Sequence, residues 1–321
     1  MKPVFIGGCD RSGTTLLGSM LGTHSECLCV PESQFIIETL NGSNFDVELI
    51  KPLAVLEMIS KHPRFRIWEF NIESTPTPQV QSINSYPKLI EWIIRRYGET
   101  NGKVSPAIWI DHTPFNVKFA SALFSLFPQA KMIHLIRDGR AVASSIMPLS
   151  WGPKAIDKAA YFWLRNLAYG FAAESAYGPN RVIRIKYEDL VNDSETTLKT
   201  ICSFIDIDYQ PCMVQGDGFK VPSFTRKQHS LVGKKPDPGR INAWENKLSP
   251  RQIEIFESTT GDMLGYLGYT PKFGVRARNM TNMERFISTL KTFQLFMSNF
   301  YDQAKLYWVS RKSLSKAIPK K

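Results

Sequence analysis

The stretch Gly8-Cys9-Asp10-Arg11-Ser12-Gly13-Thr14-Thr15 is the part of this chain best equipped for chemistry. Its frame, G-x-x-x-x-G-T-T, matches the P-loop pattern except that Thr14 stands where the lysine belongs. The physical logic survives that change. Glycines let the backbone fold closely around an anion, successive N–H groups point inward, and a following helix presents the positive end of its dipole. Arg11 adds a fixed charge that can fork onto phosphate or sulfate oxygens. The missing lysine argues against nucleoside triphosphate hydrolysis, where that side chain reaches the β- and γ-phosphates. The plain alternative is an ordinary glycine-rich strand–helix turn.

A second anchor is Met132-Ile133-His134-Leu135-Ile136-Arg137-Asp138-Gly139, continued by Arg140-Ala141-Val142-Ala143-Ser144-Ser145. An apolar strand ends in Arg137 and a helix starts just after it. Arg137 at the strand end and Ser145 two turns into the helix can reach one common anion. A local Arg137–Asp138 ion pair at the helix start is the other reading.

These residues need elements to hold them. Four short apolar runs read as buried strands: Val4–Ile6, Ala107–Ile110, Met132–Ile136 and Val182–Ile185. Helices are predicted at Thr14–Leu21, Val117–Phe127, Gly139–Met147 and Ile156–Ala176. The alternation implies an α/β fold, a P-loop-like parallel β-sheet flanked by helices. Ligands of such sheets bind outside the carboxyl ends of the strands. Residues 211–240 read as a basic, Pro- and Gly-rich loop, and 249–268 as helical again. Aromatic residues in 41–106 and around Trp151–Trp163 either shape an acceptor pocket or belong to the core.

We expect residues 1–271 to form one domain and 272–321 a C-terminal amphipathic helical extension. In the extension Phe286, Ile287, Leu290, Phe293, Met297 and Phe300 recur at helical spacing within a predicted helix from Met283 to Val309. The net charge of +11 sits mainly there: 272–321 carry eleven Lys and Arg against Glu284 and Asp302. Residues 1–271 are therefore nearly neutral, and any anion specificity in them must come from a few placed groups.

Hydrophobic residues at 43% and charged residues at 21% exclude a disordered or collagen-like chain. The five cysteines form no CxxC, which argues against a disulfide framework or a structural zinc site and suits a reducing compartment. The apolar run at the start is too short for a signal peptide or membrane anchor. We therefore expect a cytoplasmic protein, with peripheral membrane contact through its tail as an option.

The RSGTT loop, the LIRDGRAVASS strand–helix and Tyr187-Glu188-Asp189-Leu190 resemble, in this order, the sulfotransferases that use 3′-phosphoadenosine 5′-phosphosulfate (PAPS). The later Trp244…Leu248 and Leu264–Tyr269 also look like that family. The resemblance covers about residues 3–271 and is closest to the tyrosylprotein and bacterial carbohydrate branches. It implies that Arg11, Ser12, Gly13, Thr14 and Thr15 bind the 5′-phosphosulfate, that Arg137 and Ser145 bind the 3′-phosphate, and that Tyr187 lies near the nucleotide. Ser230 and Lys234 would belong to a basic loop closing over it. Glu32 falls on the position of the general base, although a carboxylate just before a helix also suits the helix dipole. His112 stands where related enzymes show a lysine. It can donate to the leaving oxygen, act as the base, or be a structural histidine.

The implied reaction is an in-line sulfuryl transfer from PAPS to a hydroxyl of a carbohydrate, lipid, metabolite or tyrosine, with 3′,5′-bisphosphate (PAP) as product. Arg11, the loop amides and His112 would share the charge on the leaving oxygen, and no metal is required. A P-loop kinase or other nucleotide-binding protein is the first rival, and a non-enzymatic membrane-associated basic protein the second. Nothing resembles a nucleic-acid module. Residues 281–321 are expected to contact a membrane or another subunit, or to pack on the catalytic domain.

Overall fold

A computed structural model describes residues 1–41, 47–72, 78–222 and 232–297. Five strands form one parallel sheet in the order β2-β3-β1-β4-β5. They are β1 (Lys2–Gly8), β2 (Cys27–Val30), β3 (Ile108–Asp111), β4 (Lys131–Ile136) and β5 (Val182–Lys186). Val4 aligns with Ile110 on one side and Lys131 on the other. This agrees with the expected α/β class, and adds β2 to the four expected strands. Cys27-Leu28-Cys29-Val30 is only four residues long and half cysteine, so its pattern carries little strand signal.

Successive side chains of a strand face opposite sides, and both faces of this sheet are covered. On one face Phe5, Trp109, Met132 and Val182 join a core supplied by the helices between β2 and β3. Phe5 meets Trp109 edge-on at 5.3 Å. On the other face Val4, Ile6, Ile110, Ile133 and Leu135 pack with Leu17, Met20 and Leu21 of the helix α1 (Thr14–Thr23). Phe35, Phe65, Trp68 and Tyr97 meet edge-on or tilted with centroids 5.0–5.6 Å apart and are buried. These aromatics of the 41–106 region and its flank are core.

The predicted helix Val117–Phe127 is split. A 3-10 turn, Pro114–Phe119, precedes a helix, Ala120–Leu126. Asn116 donates to the carbonyls of Ile6 and Asp111, which pins the tighter turn to the ends of β1 and β3.

The chain divides into two compact units. The first comprises Met1–Arg137 and Arg165–Ile241, and the second Asp138–Leu164 and Asn242–Lys321. In the second unit the helix Pro250–Thr260 begins with a Ser249/Gln252 capping box, and Phe256 packs on Trp163 at 5.7 Å. Buried Arg140 bonds to both oxygens of Asp138 and, at 2.8 Å, to Glu257. Glu257 also accepts the backbone N–H groups of Lys272, Phe273 and Gly274. The helix over 282–297 follows, and residues 298–309 of the predicted tail helix lie outside the described residues.

Candidate active site

The loop between β1 and α1 turns on two residues of positive φ. Arg11 sits at φ 69° and Gly13 at φ 100°. For an arginine that conformation costs about 1–2 kcal/mol, so the surrounding loop must enforce it. Gly13 has no alternative. A Cβ there would lie 2.5 Å from Cδ2 of Tyr187, the first residue of the helix Tyr187–Asn192 after β5.

Gly13 caps α1 with no side-chain acceptor, and the first helical turn holds no acid. Its N–H groups thus carry an uncompensated positive end, bordered by buried Thr14 and Thr15. Ser12 is fully buried, and its Oγ has no hydrogen-bond partner among the described residues. A buried hydroxyl without a partner beside a helix N-terminus is the arrangement an anion completes.

Arg137, one residue past β4, is held from three directions. Its Nη1 donates to the carbonyl of Arg11 at 3.1 Å, and its Nη2 to that of Arg240 at 3.1 Å. Its guanidinium lies 4.0 Å from the Tyr187 ring centre. Burial and the nearby Arg137 pull the pKa of Arg11 below its ordinary value. Several cations crowded this way favour an anionic occupant. Asp138 is engaged by Arg140 in the second unit, where Ser145 lies on the helix Gly139–Ile146.

Glu32 follows β2 and precedes the helix Phe35–Asn41. Its carbonyl accepts from Trp68 Nε1 at 3.2 Å, and Gln34 Nε2 approaches its Oε2 at 3.5 Å. Burial, then the carboxylates of Asp10 and Asp111, push its pKa up to about 7. Burial raises Asp10 and Asp111 to about 6 each. Asp111 ends β3 and accepts from both the N–H and the hydroxyl of Thr113. Thr113 Oγ1 in turn accepts from Ser33 N–H at 2.8 Å, which ties the Glu32 segment to the end of β3.

His112 is buried one residue beyond β3. Phe219 meets its ring edge-on at 4.8 Å, and α1 lies close enough that a Cβ on Gly18 would be 3.0 Å from His112 Cβ. The first unit therefore gathers Arg11–Thr15, Glu32, His112, Arg137 and Tyr187 just beyond the carboxyl ends of β1, β2, β3, β4 and β5. Lys234 is exposed, and Ser230 lies outside the described residues. Sequence reasoning missed Asp10, Asp111 and Thr113. Asp10 sits in the glycine loop and Asp111 ends an apolar strand, but no local signal tells that the two acids meet Glu32 or that Thr113 links Asp111 to Ser33.

A family profile described as Sulfotransferase family matches residues 3–211, well over half of the chain. The chain belongs to the sulfotransferase family. Among its relatives it is 26% identical to Drosophila melanogaster protein-tyrosine sulfotransferase over 282 residues, covering 84% of this chain and 52% of that protein. It is likewise 26% identical to Danio rerio protein-tyrosine sulfotransferase 1, covering 84% and 73%. The chain thus spans about half the length of the fly relative. The fold resembles two solved sulfotransferase domains. One is from the curacin biosynthetic pathway (TM-score 0.58, 19% identity, 84% of this chain and 98% of that one). The other is from the Synechococcus PCC 7002 olefin synthase (TM-score 0.59, 22% identity, 84% and 95%).

These relatives agree with the expected nearness to the tyrosylprotein branch. They overturn the expected cytoplasmic location, because tyrosylprotein sulfotransferases are Golgi membrane proteins. Among the described residues no helix is long and apolar enough to cross a membrane.

Proposed function

We propose that this sulfotransferase-family chain moves a sulfuryl group from PAPS to a hydroxyl of its acceptor. The observation that carries this reading is the shared strand edge: an anion cradle lacking the P-loop lysine, beside the half-buried carboxyl of Glu32, whose pKa desolvation and the neighbouring Asp10 and Asp111 push up to about 7. The orphaned Ser12 hydroxyl and the acid-free start of α1 fit the phosphosulfate end of PAPS. When bound, PAPS supplies an activated sulfuryl group on a phosphate leaving group.

Each protein group then has a task. The loop amides, Ser12, Thr14 and Thr15 hold the 5′ end, and Arg11 offsets the charge on the leaving oxygen. Arg137, stacked on Tyr187, is aimed at the 3′-phosphate. His112 donates toward the bridging oxygen. Glu32, ionised, takes the proton of the acceptor hydroxyl as its oxygen attacks sulfur. Its elevated pKa suits that task, since a base works best near the ambient pH. Nucleotide contacts by Ser145, Ser230 and Lys234 rest on the sequence resemblance alone.

The names of the relatives make tyrosine in a peptide the first acceptor to try, ahead of carbohydrate, lipid and metabolite hydroxyls. Incubation with sulfur-labelled PAPS and a panel holding a tyrosine peptide, a glycan and a simple phenol tests the assignment. Label on an acceptor hydroxyl with equimolar PAP supports it. Intact donor, or label released only to water, would refute it.

A further inference from the structure

The helix over 282–297 lies along the surface of the second unit and touches it through a narrow, mostly polar side. Thr281 and Glu284 start it as a capping box: Glu284 accepts from Thr281 N–H at 2.8 Å, and Thr281 Oγ1 receives Glu284 N–H at 3.3 Å. Arg251 clasps both oxygens of Glu284 at 2.8 Å. Ser288, buried, donates to the buried carboxylate of Asp157 at 2.7 Å. Beyond Thr281, the residues of this stretch that are not fully exposed are Glu284, Ser288 and Leu295. At about 100° per residue, these three fall within one narrow sector of the helix.

The apolar stripe lies on the opposite side. Phe286, Leu290, Phe293 and Met297 are 45–59% exposed, flanked by exposed Met283 and Ile287. A helix of a soluble domain ordinarily does the reverse and buries its apolar stripe. Here a buried Ser–Asp hydrogen bond and an Arg–Glu pair fix the helix so that four large hydrophobic groups face outward.

The charge distribution says what covers them. Residues 272–321 carry eleven Lys and Arg against two acids, one of which, Glu284, is already engaged by Arg251. Only Arg285 and Lys291 lie within 282–297, and Lys272 and Arg278 already pair with Glu245 and Glu254, but six more Lys and Arg follow in the sequence over 298–321, so a second copy would bring two cationic tails together. An anionic lipid surface accepts the apolar side chains and attracts the lysines and arginines at once. We infer that the exposed face of helix 282–297 docks on an anionic lipid bilayer. This goes beyond the sulfuryl-transfer reading and does not depend on it.

The test uses the full chain with vesicles of phosphatidylcholine alone or mixed with phosphatidylserine. Co-sedimentation should show at least about tenfold stronger binding to the mixed vesicles, weakening as salt rises. The Phe286→Ser/Phe293→Ser variant should lose about tenfold or more of that binding. Its melting temperature should stay unchanged, since neither ring is buried in the domain. Three results would overturn the inference: no vesicle binding, equal binding to both compositions, or a dimer in solution that the double variant dissociates without any lipid selectivity.

Discussion

The guanidinium of Arg137 rests 4.0 Å from the ring centre of Tyr187, and that same ring closes over Gly13 so tightly that no side chain fits there. One aromatic ring thus joins the end of β4, the start of the helix after β5 and the glycine loop. The cation of Arg137 is placed by stacking as well as by its two hydrogen bonds to backbone carbonyls. This gives the proposed anion site a rigid wall, which would lower the ordering cost of binding.

Replacing Arg137 by alanine removes the stacked cation and both hydrogen bonds. PAP affinity should fall about 10- to 100-fold. Arg137→Lys should restore little, because a compact, strongly hydrated ammonium lacks the planar guanidinium fork that reaches both carbonyls from its place over the ring. Calorimetric titration with PAP checks this, and wild-type affinity in the lysine variant would defeat the stacking argument.

Gly13→Ala forces a Cβ into Tyr187 and a side chain into φ 100°. The expected cost is about 1–3 kcal/mol of stability together with loss of the anion cradle. Thermal denaturation with and without PAP measures both. An unshifted melting temperature and unchanged PAP stabilisation would show that the loop tolerates the methyl group.

In the proposed mechanism Glu32 sets the pH behaviour. Its carboxyl must be ionised to act as base, so kcat/KM should rise with pH and level off above about 7. Glu32→Gln should slow transfer about 10²- to 10⁴-fold and remove that rise, with PAP binding nearly intact. His112→Ala should also slow transfer while sparing PAP binding. Stability runs the other way. The folded state holds the proton more tightly than the unfolded chain, so this contribution is complete below the ordinary carboxyl pKa and is lost as pH rises through about 7. Between pH 5 and 8 wild type should lose more stability than Glu32→Gln. A flat rate profile, or the opposite order of pH sensitivity, would remove Glu32 from this role.

Arg140 anchors the second unit through buried Asp138 and Glu257. Arg140→Met leaves two carboxylates buried without their cation, and should cost about 3–5 kcal/mol. Chemical denaturation measures it. A loss below about 1 kcal/mol would mean that water replaces the guanidinium.

The chemistry-bearing parts were legible where local pattern and chemistry coincide. The Gly8–Thr15 loop, the strand end at Arg137 and the helix of Ser145 can be read directly, because glycine spacing and an apolar run ending in a charge are local signals. Strand β2 was not legible, since four residues with two cysteines give no periodicity. The Asp10–Glu32–Asp111 cluster was not legible either. Its members are up to 101 positions apart, and only the parallel order of β2, β3 and β1 makes them neighbours. The tail's apolar stripe was legible, but its outward orientation was not. That depends on Ser288 meeting Asp157, 131 positions earlier.

The most direct check of the central claim is the affinity of the full chain for PAP against ATP–Mg²⁺, measured by calorimetric titration under one set of conditions. The cradle without its lysine, closed by Arg137 on Tyr187, predicts micromolar PAP binding and ATP–Mg²⁺ binding at least about tenfold weaker. Equal or tighter binding of ATP–Mg²⁺, or no binding of PAP, would contradict it.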